Sequence, residues 1–184
     1  MMLFIDTEFA DQTARELVSI ALVSQDGRFE FYAECDPLPV APSDFVRTVV
    51  YPLLDRGDRS LTGREMSKQL HAFFYRVKEE SRHGQVLVAY DYVADIHLLD
   101  AALGGRDANT SARPLFNVFN LQLLGEEFNR TVERLFSCNG QAAARRHHAL
   151  IDAWVNRDAF MAVLRISSER SVQDVVRRGR GPLQ

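Results

Sequence analysis

Apolar positions along the chain come first as an unbroken run, then in alternation, and then at helical spacing. Leu3–Asp6 is short and apolar and ends on polar residues, the pattern of a buried strand. Glu16–Ser24 (ELVSIALVS), rich in Val, Ile and Leu, predicts a second strand, and Phe29–Glu34 alternates as a third. Between the last two, Gln25-Asp26-Gly27 carries the Asp-Gly turn pair of a hairpin. Three strands on short connections predict an antiparallel meander.

Beyond residue 40 the period lengthens. Pro42-Ser43 opens a short predicted helix through Phe45, Val49 and Leu53. Thr62 and Glu65 have capping-box spacing, and Met66, Leu70, Phe73, Phe74 and Val77 follow at helical intervals until Gly84. Val86–Tyr90 predicts a buried strand, with a helix from about Asp91 to Leu103 and a loop over Gly104–Thr110. Leu115–Phe119 is expected as a fifth strand and Leu121–Phe128 as a helix. Ser137–Ala144 is small and polar, expected to be mobile, and His148–Leu164 is a long amphipathic helix. The expected fold is therefore α/β: a mixed five-stranded sheet, three strands in a meander and two parallel through crossovers, flanked by helices. Residues 1–170 read as one domain and 171–184 as a basic, frayed tail.

Composition fits this picture. Of 184 residues, 46% are hydrophobic and 26% charged, enough apolar material for a core and too much for a disordered chain. No apolar run approaches a membrane span, and acid follows the first five residues, unlike a signal peptide, so a cytoplasmic location is expected. Cys35 and Cys138 stand alone, which excludes a cysteine zinc site. The net charge of −3 excludes a wholesale polyanion binder. All cations but Lys68 and Lys78 are arginine, the better bidentate phosphate ligand.

The candidate chemistry is acidic. Asp6 and Glu8, one residue apart at a strand end, project to the same side. Two like charges there repel unless a cation lies between them, and oxygen ligands suit a hard ion such as Mg²⁺ or Mn²⁺. Asp91 lies just past the carboxyl end of another strand, where crevices form in sheets with parallel strands. A plain helix cap is its bland alternative. Asp95, one turn on, is a second candidate for the same role. Asp152 interrupts an otherwise apolar helical face. His147 precedes it by five residues, about 140° around an ideal helix, so His147 must sit in the first turn or the preceding loop to reach the same ions.

Phe4-Ile5-Asp6-Thr7-Glu8-Phe9, Tyr90-Asp91 and His147-x-Ala149-Leu150-x-Asp152-Ala153, followed by Asn156-Arg157, together resemble the DEDDh 3′–5′ exonucleases of the ribonuclease H-like superfamily. The resemblance covers about residues 2–165. It is closest to the small bacterial exoribonucleases of the mycobacterial polyadenylate-specific type, which share Asp-Thr-Glu-Phe, a Glu-Leu-x-Ser-Ile second strand (here Glu16–Ile20) and Ala-Tyr-Asp (here Ala89–Asp91). In the second motif, Ala94-Asp95 offers another register, leaving Asp91 and Asp95 as alternatives.

The resemblance implies a two-metal phosphodiesterase using two Mg²⁺, with Mn²⁺ able to substitute. Asp6 would bridge both ions, Glu8 and Asp152 would complete one site, and Asp91 the other. His147 would take the proton of the attacking water, and nucleoside 5′-monophosphates would leave from the 3′ end. Thr7, Phe9 and Arg157 are the implied substrate contacts, with Phe9 either a wedge stacked on bases or core packing. Arg145 and Arg146 are further candidates for phosphate. Single-stranded nucleic acid is the expected partner, RNA ahead of DNA, and a homodimer is compatible with the family. Two rival readings are a catalytically idle nucleic-acid-binding or interaction module on the same fold, and an endonuclease.

Overall fold

The computed structural model describes residues 1–13, 16–104 and 115–179, with side chains through residue 166. Its centre is a mixed six-stranded sheet in the order β4-β3-β2-β1-β5-β6. The strands are β1 (Met2–Phe9), β2 (Leu17–Ser24), β3 (Glu30–Cys35), β4 (Ser60–Leu61), β5 (Leu87–Tyr90) and β6 (Asn117–Asn120). β1, β2 and β3 form the antiparallel meander, whereas β5 lies parallel to β1, and β6 parallel to β5. The strand not foreseen is β4, two residues paired in parallel with the end of β3. It is too short to leave a periodic signal.

Alternation along the strands divides the core into two layers. Leu3, Ile5, Ile20, Leu22, Phe31 and Val88 pack against α1 (Gly63–Glu80) through Met66, Leu70, Phe73, Phe74 and Val77. Phe4, Ala21, Val23, Tyr32 and Ala89 face the other way, onto α5 (Ala149–Gly179) and Phe128 of α3 (Glu126–Cys138). β2 is buried on both faces, which is why its sequence is a continuous apolar run. At the Asp26-Gly27 turn, Gly27 has φ +74°, and a Cβ there would lie 3.2 Å from the Trp154 ring of α5. The turn residue thus also admits the helix.

The capping box of α1 is formed: Thr62 Oγ1 accepts from the Glu65 N–H, and Glu65 Oε2 accepts from the Thr62 N–H at 3.0 Å. Elsewhere the boundaries differ from the pattern. The turn after Pro42 becomes a wide helical turn, Val46–Val50, followed by a tight one, Tyr51–Leu53. Pro52 offers no N–H, so a regular ladder cannot run through it. Its apolar side, Val46 and Val50, packs on Val18. α2 is Val93–Ala102, starting two residues later than Asp91. The helix expected over Leu121–Phe128 is split at Gly125 (φ +71°) into a tight turn, Leu121–Leu124, and α3. Inside the segment expected to be mobile, Gly140–Ala144 forms α4, capped by Asn139, whose side chain accepts from the Gln141 and Ala142 N–H groups. α5 continues to Gly179, and the last five residues of the proposed tail, like most of the Gly104–Thr110 loop, lie outside the described residues. Among the described residues, no helix is long and apolar enough to cross a membrane.

Candidate functional site

The site forms where β1 and β5 end side by side. Phe4 of β1 pairs with Ala89 of β5 in parallel register. Two residues beyond that pair, Asp6 lies on the face that carries α5, and Asp91 lies just past the end of β5. Glu8 follows Asp6 on that face. α5 contributes Asp152 in its first turn. Asp6, Glu8, Asp91, Asp95, Asp152 and His147 all line one cleft of about 770 Å³. The carboxylates and imidazole that the sequence scattered over most of the chain therefore meet.

His147 reaches the cleft from the turn before α5, as its angular separation from Asp152 required. The turn Arg145–His148 is closed by a hydrogen bond from the His148 N–H to the Arg145 carbonyl, at 3.1 Å. His147 is the third residue of this turn and has φ +72°, a left-handed conformation that a β-carbon disfavours. Its N–H donates to Asp152 Oδ2 at 3.0 Å. Ligand atoms of Glu8, His147 and Asp152 lie within 4.8 Å of one another.

Asp91 and Asp95, alternatives in the sequence, occupy different environments. Both Asp95 oxygens are engaged: Oδ1 accepts from Thr7 Oγ1 at 2.7 Å, and Oδ2 accepts from the Tyr92 N–H at 3.3 Å. Asp95 therefore does the capping work at the start of α2, and Asp91 is not the cap. Asp91 Oδ1 is buried with no hydrogen-bond partner, and so is Asp152 Oδ1. Unpaired buried oxygens on two carboxylates in one cleft are costly unless a cation or water meets them.

The electrostatics agree. Burial, then the charges of Asp152, Asp95, Glu8 and Asp91, pushes the Asp6 carboxyl well above the usual range. Burial, then Asp152 and Asp95, raises Glu8 to about 9. Burial raises Asp95 to about 8, with Asp91 adding to it. Asp152 is raised by burial to about 7, against the opposing effects of the His147 N–H and Arg146. Asp91 is raised by burial, opposed by hydrogen bonds that include one from the Asn156 side chain. Burial and the nearby Arg146 lower His147. Such a set is strained without positive charge and suited to it. Acceptor-only oxygens with one imidazole fit a hard divalent ion, and the two unpaired oxygens give it open coordination positions.

The aromatic walls of the cleft are Phe9, Tyr92 and Phe45. Alternation alone would turn Phe9 away from Glu8, but the register of β1 on β2 shifts between these residues, a bulge that re-aims the ring. Phe9 stacks on Tyr92 at 6.1 Å between centroids. Phe45 meets the His147 ring edge-on at 5.0 Å. It is brought there by the hydrogen bond from the Ser43 N–H to the Ala10 carbonyl, at 2.8 Å. Sequence reasoning missed Phe45 and Tyr92. Tyr92 adjoins Asp91, which is a signal, whereas Phe45 is placed by a tertiary contact with no local trace.

Three proposed phosphate contacts are engaged elsewhere. Arg157 does not line the cleft. Its Nε donates to the Gln25 carbonyl at 2.9 Å, by the opposite end of β1, and its guanidinium lies over Trp154. This corrects its assignment as a substrate contact: after five residues α5 has turned and carried it away. Arg146 forms a bidentate pair with Glu133 and covers Phe136. Arg145 is held by Asp55 and the Leu53 carbonyl. Thr7 lines the cleft, with its hydroxyl committed to Asp95. Compared with protein-family models and with curated proteins, the chain matches none.

Proposed function

We propose that this protein is a divalent-metal-dependent 3′–5′ exonuclease of the DEDDh, ribonuclease H-like type, acting on single-stranded nucleic acid, RNA ahead of DNA. The observation that carries the reading is the meeting of Asp6, Glu8, Asp91 and Asp152 with His147 in one cleft, with two buried carboxylate oxygens unpaired. The meander joined to parallel strands is also the arrangement expected of that fold. The preference for RNA rests on the resemblance of the motifs.

In this reading Asp6, Glu8, Asp91 and Asp152 would hold two Mg²⁺ or Mn²⁺ ions. Bound there, the ions would supply positive charge to the scissile phosphate and to the attacking and leaving oxygens. Asp95, with both oxygens hydrogen-bonded, would fix Thr7 and the start of α2. His147, with its pKa lowered by burial, is neutral near pH 7 and accepts a proton from the attacking water. The water oxygen bonds to phosphorus, the bond to the 3′-oxygen breaks, that oxygen takes a proton from solvent on the shortened strand, and His147 returns its proton to solvent. The product is a nucleoside 5′-monophosphate. Phe9 and Tyr92 offer faces for the terminal bases.

The test is a time course on 5′-labelled RNA and DNA of one sequence, with Mg²⁺ or EDTA. A descending ladder with Mg²⁺, faster on RNA and absent in EDTA, is expected. Discrete internal cuts would replace this reading with an endonuclease. Binding without Mg²⁺-dependent product would replace it with an idle module.

A further inference from the structure

Behind the cleft lies a second cluster that the proposed chemistry does not use: Glu34, Asp55 and His148, with ligand atoms within 4.8 Å of one another. An arginine approaches each of its carboxylates. Arg56 approaches Glu34 at 3.5 Å, and Arg145 meets Asp55 Oδ1 at 2.6 Å. Glu34 is fully buried and accepts from the Tyr32 hydroxyl at 2.7 Å, the Asp55 N–H at 2.7 Å and the Arg56 N–H at 2.9 Å. Both carboxylates thus face a guanidinium, that of Arg56 being shared with Asp36 at 3.1 Å. The cluster has the composition of a brace.

What it braces follows from the turn. Arg145 and His148 are the first and last residues of the turn that holds His147 in its left-handed conformation. Asp55 addresses both. Its Oδ1 takes the Arg145 guanidinium, and its Oδ2 faces His148 Nε2 at 3.5 Å. His148 is 1% exposed, lies against the Tyr32 ring at 4.6 Å, and neither ring nitrogen makes a hydrogen bond. Asp55 Oδ2 thus lies close to this ring without a hydrogen bond to it. Asp55 is itself fixed through its N–H on Glu34 of β3. A strained residue persists only when its surroundings over-determine it. Here one carboxylate, anchored to the sheet, spans the two corners of the strained turn.

We infer that Asp55 is a positioning residue: by tying Arg145, the first residue of the turn, to the sheet beside His148, it sets the left-handed turn that presents the His147 imidazole to the cleft. The inference rests on the proposed role of His147 for its effect on rate, but its geometric part can be read without any activity. Asp55 does not line the cleft, so its loss is expected to act through His147 rather than through a direct contact with substrate.

The experiment uses the full chain with Asp55→Asn, His147→Ala and the double variant. In the metal-free protein, the His147 imidazole Cε1–Hε1 NMR signal is identified by its loss in His147→Ala. Asp55→Asn is expected to shift it. With Mg²⁺ and single-stranded RNA, kcat is expected to fall about tenfold and KM to stay within about twofold. In the His147→Ala background, Asp55→Asn should have no further effect on kcat. An unshifted imidazole signal, a change confined to KM, or losses that multiply in the double variant would overturn the inference. If the wild type does not cleave, the nuclease reading fails, and the imidazole signal alone decides on Asp55. If Asp55→Asn does not fold, Arg145→Gln, which removes the guanidinium that Asp55 holds, is judged on the same three outcomes.

Discussion

The N–H of His147 donates to Asp152 Oδ2 at 3.0 Å, although an ideal helix would set these residues on different faces. The left-handed turn before α5 closes that gap. It joins the candidate base and the candidate metal carboxylate into one unit, in which the backbone N–H fixes one oxygen of Asp152. The other oxygen is left unpaired and buried.

From that unit follows the effect of neutralising an acid. Asp6→Asn and Asp152→Asn each remove one of several crowded, buried carboxylates. Metal-dependent hydrolysis should fall by roughly three orders of magnitude, the scale of several kcal/mol that a bound cation contributes to transition-state charge. The metal-free protein should become more stable, its melting temperature rising by roughly 2–4 °C for each kcal/mol of relieved repulsion. A differential scan and a rate assay on the same preparations check both. A variant that loses activity through unfolding would show the opposite shift in melting temperature.

The raised carboxyls also set the pH dependence of the metal-free fold. Unfolded carboxyls titrate near 4, whereas in the fold Asp152 is raised to about 7, Asp95 to about 8 and Glu8 to about 9. Between those values the folded state retains protons that the unfolded chain has released, so stability falls as pH rises from about 4 to about 9. Divalent cations favour the ionised carboxylates and should flatten or reverse that slope. Melting temperatures in EDTA and in Mg²⁺ from pH 5 to pH 9 test this. Parallel curves in the two solutions would contradict it.

His147 sets the acid side of catalysis. Burial, with help from Arg146, holds its pKa below the ordinary imidazole value. The acid limb of the kcat profile should therefore lie below pH 6.5. His147→Ala should lower kcat by about 10²–10⁴-fold and remove that limb. A limb that survives the substitution would assign the proton transfer to another group.

Phe9 and Tyr92 should act on binding. Phe9→Ala removes one ring of the stacked pair, and stacking contributes about 1–3 kcal/mol per base. KM for short oligonucleotides should rise accordingly, with kcat changed far less. An unchanged KM would return Phe9 to a packing role.

How much of this was legible in the sequence depended on whether a signal is local. The meander, the buried strand over Val86–Tyr90 and the capped helix after Thr62 each have a period or cap that a short window contains, and each is present. Strand alternation put Asp6 and Glu8 on one side and strand ends made Asp91 a candidate, whereas their meeting with Asp152 and His147 was expected from the resemblance of the motifs. The different surroundings of Asp91 and Asp95 were not legible, because they turn on Thr7 and Tyr92 engaging both oxygens of Asp95. Nor was the fate of the arginines: Glu133, Asp55 and the Gln25 carbonyl are distant in sequence from the cations that they hold. The bulge at Glu8/Phe9 and the edge contact of Phe45 on His147 are tertiary features of the same kind.

The account stands most directly on the number of cations that the cleft holds. Calorimetric titration of Mn²⁺ into the metal-free chain, repeated with Asp6→Asn, measures it. Two ions per chain are expected for the wild type, with at least one lost when the residue proposed to bridge them is neutralised. A wild-type chain that takes up no Mn²⁺, or an Asp6→Asn variant that binds it with the same stoichiometry and affinity, would contradict the central claim.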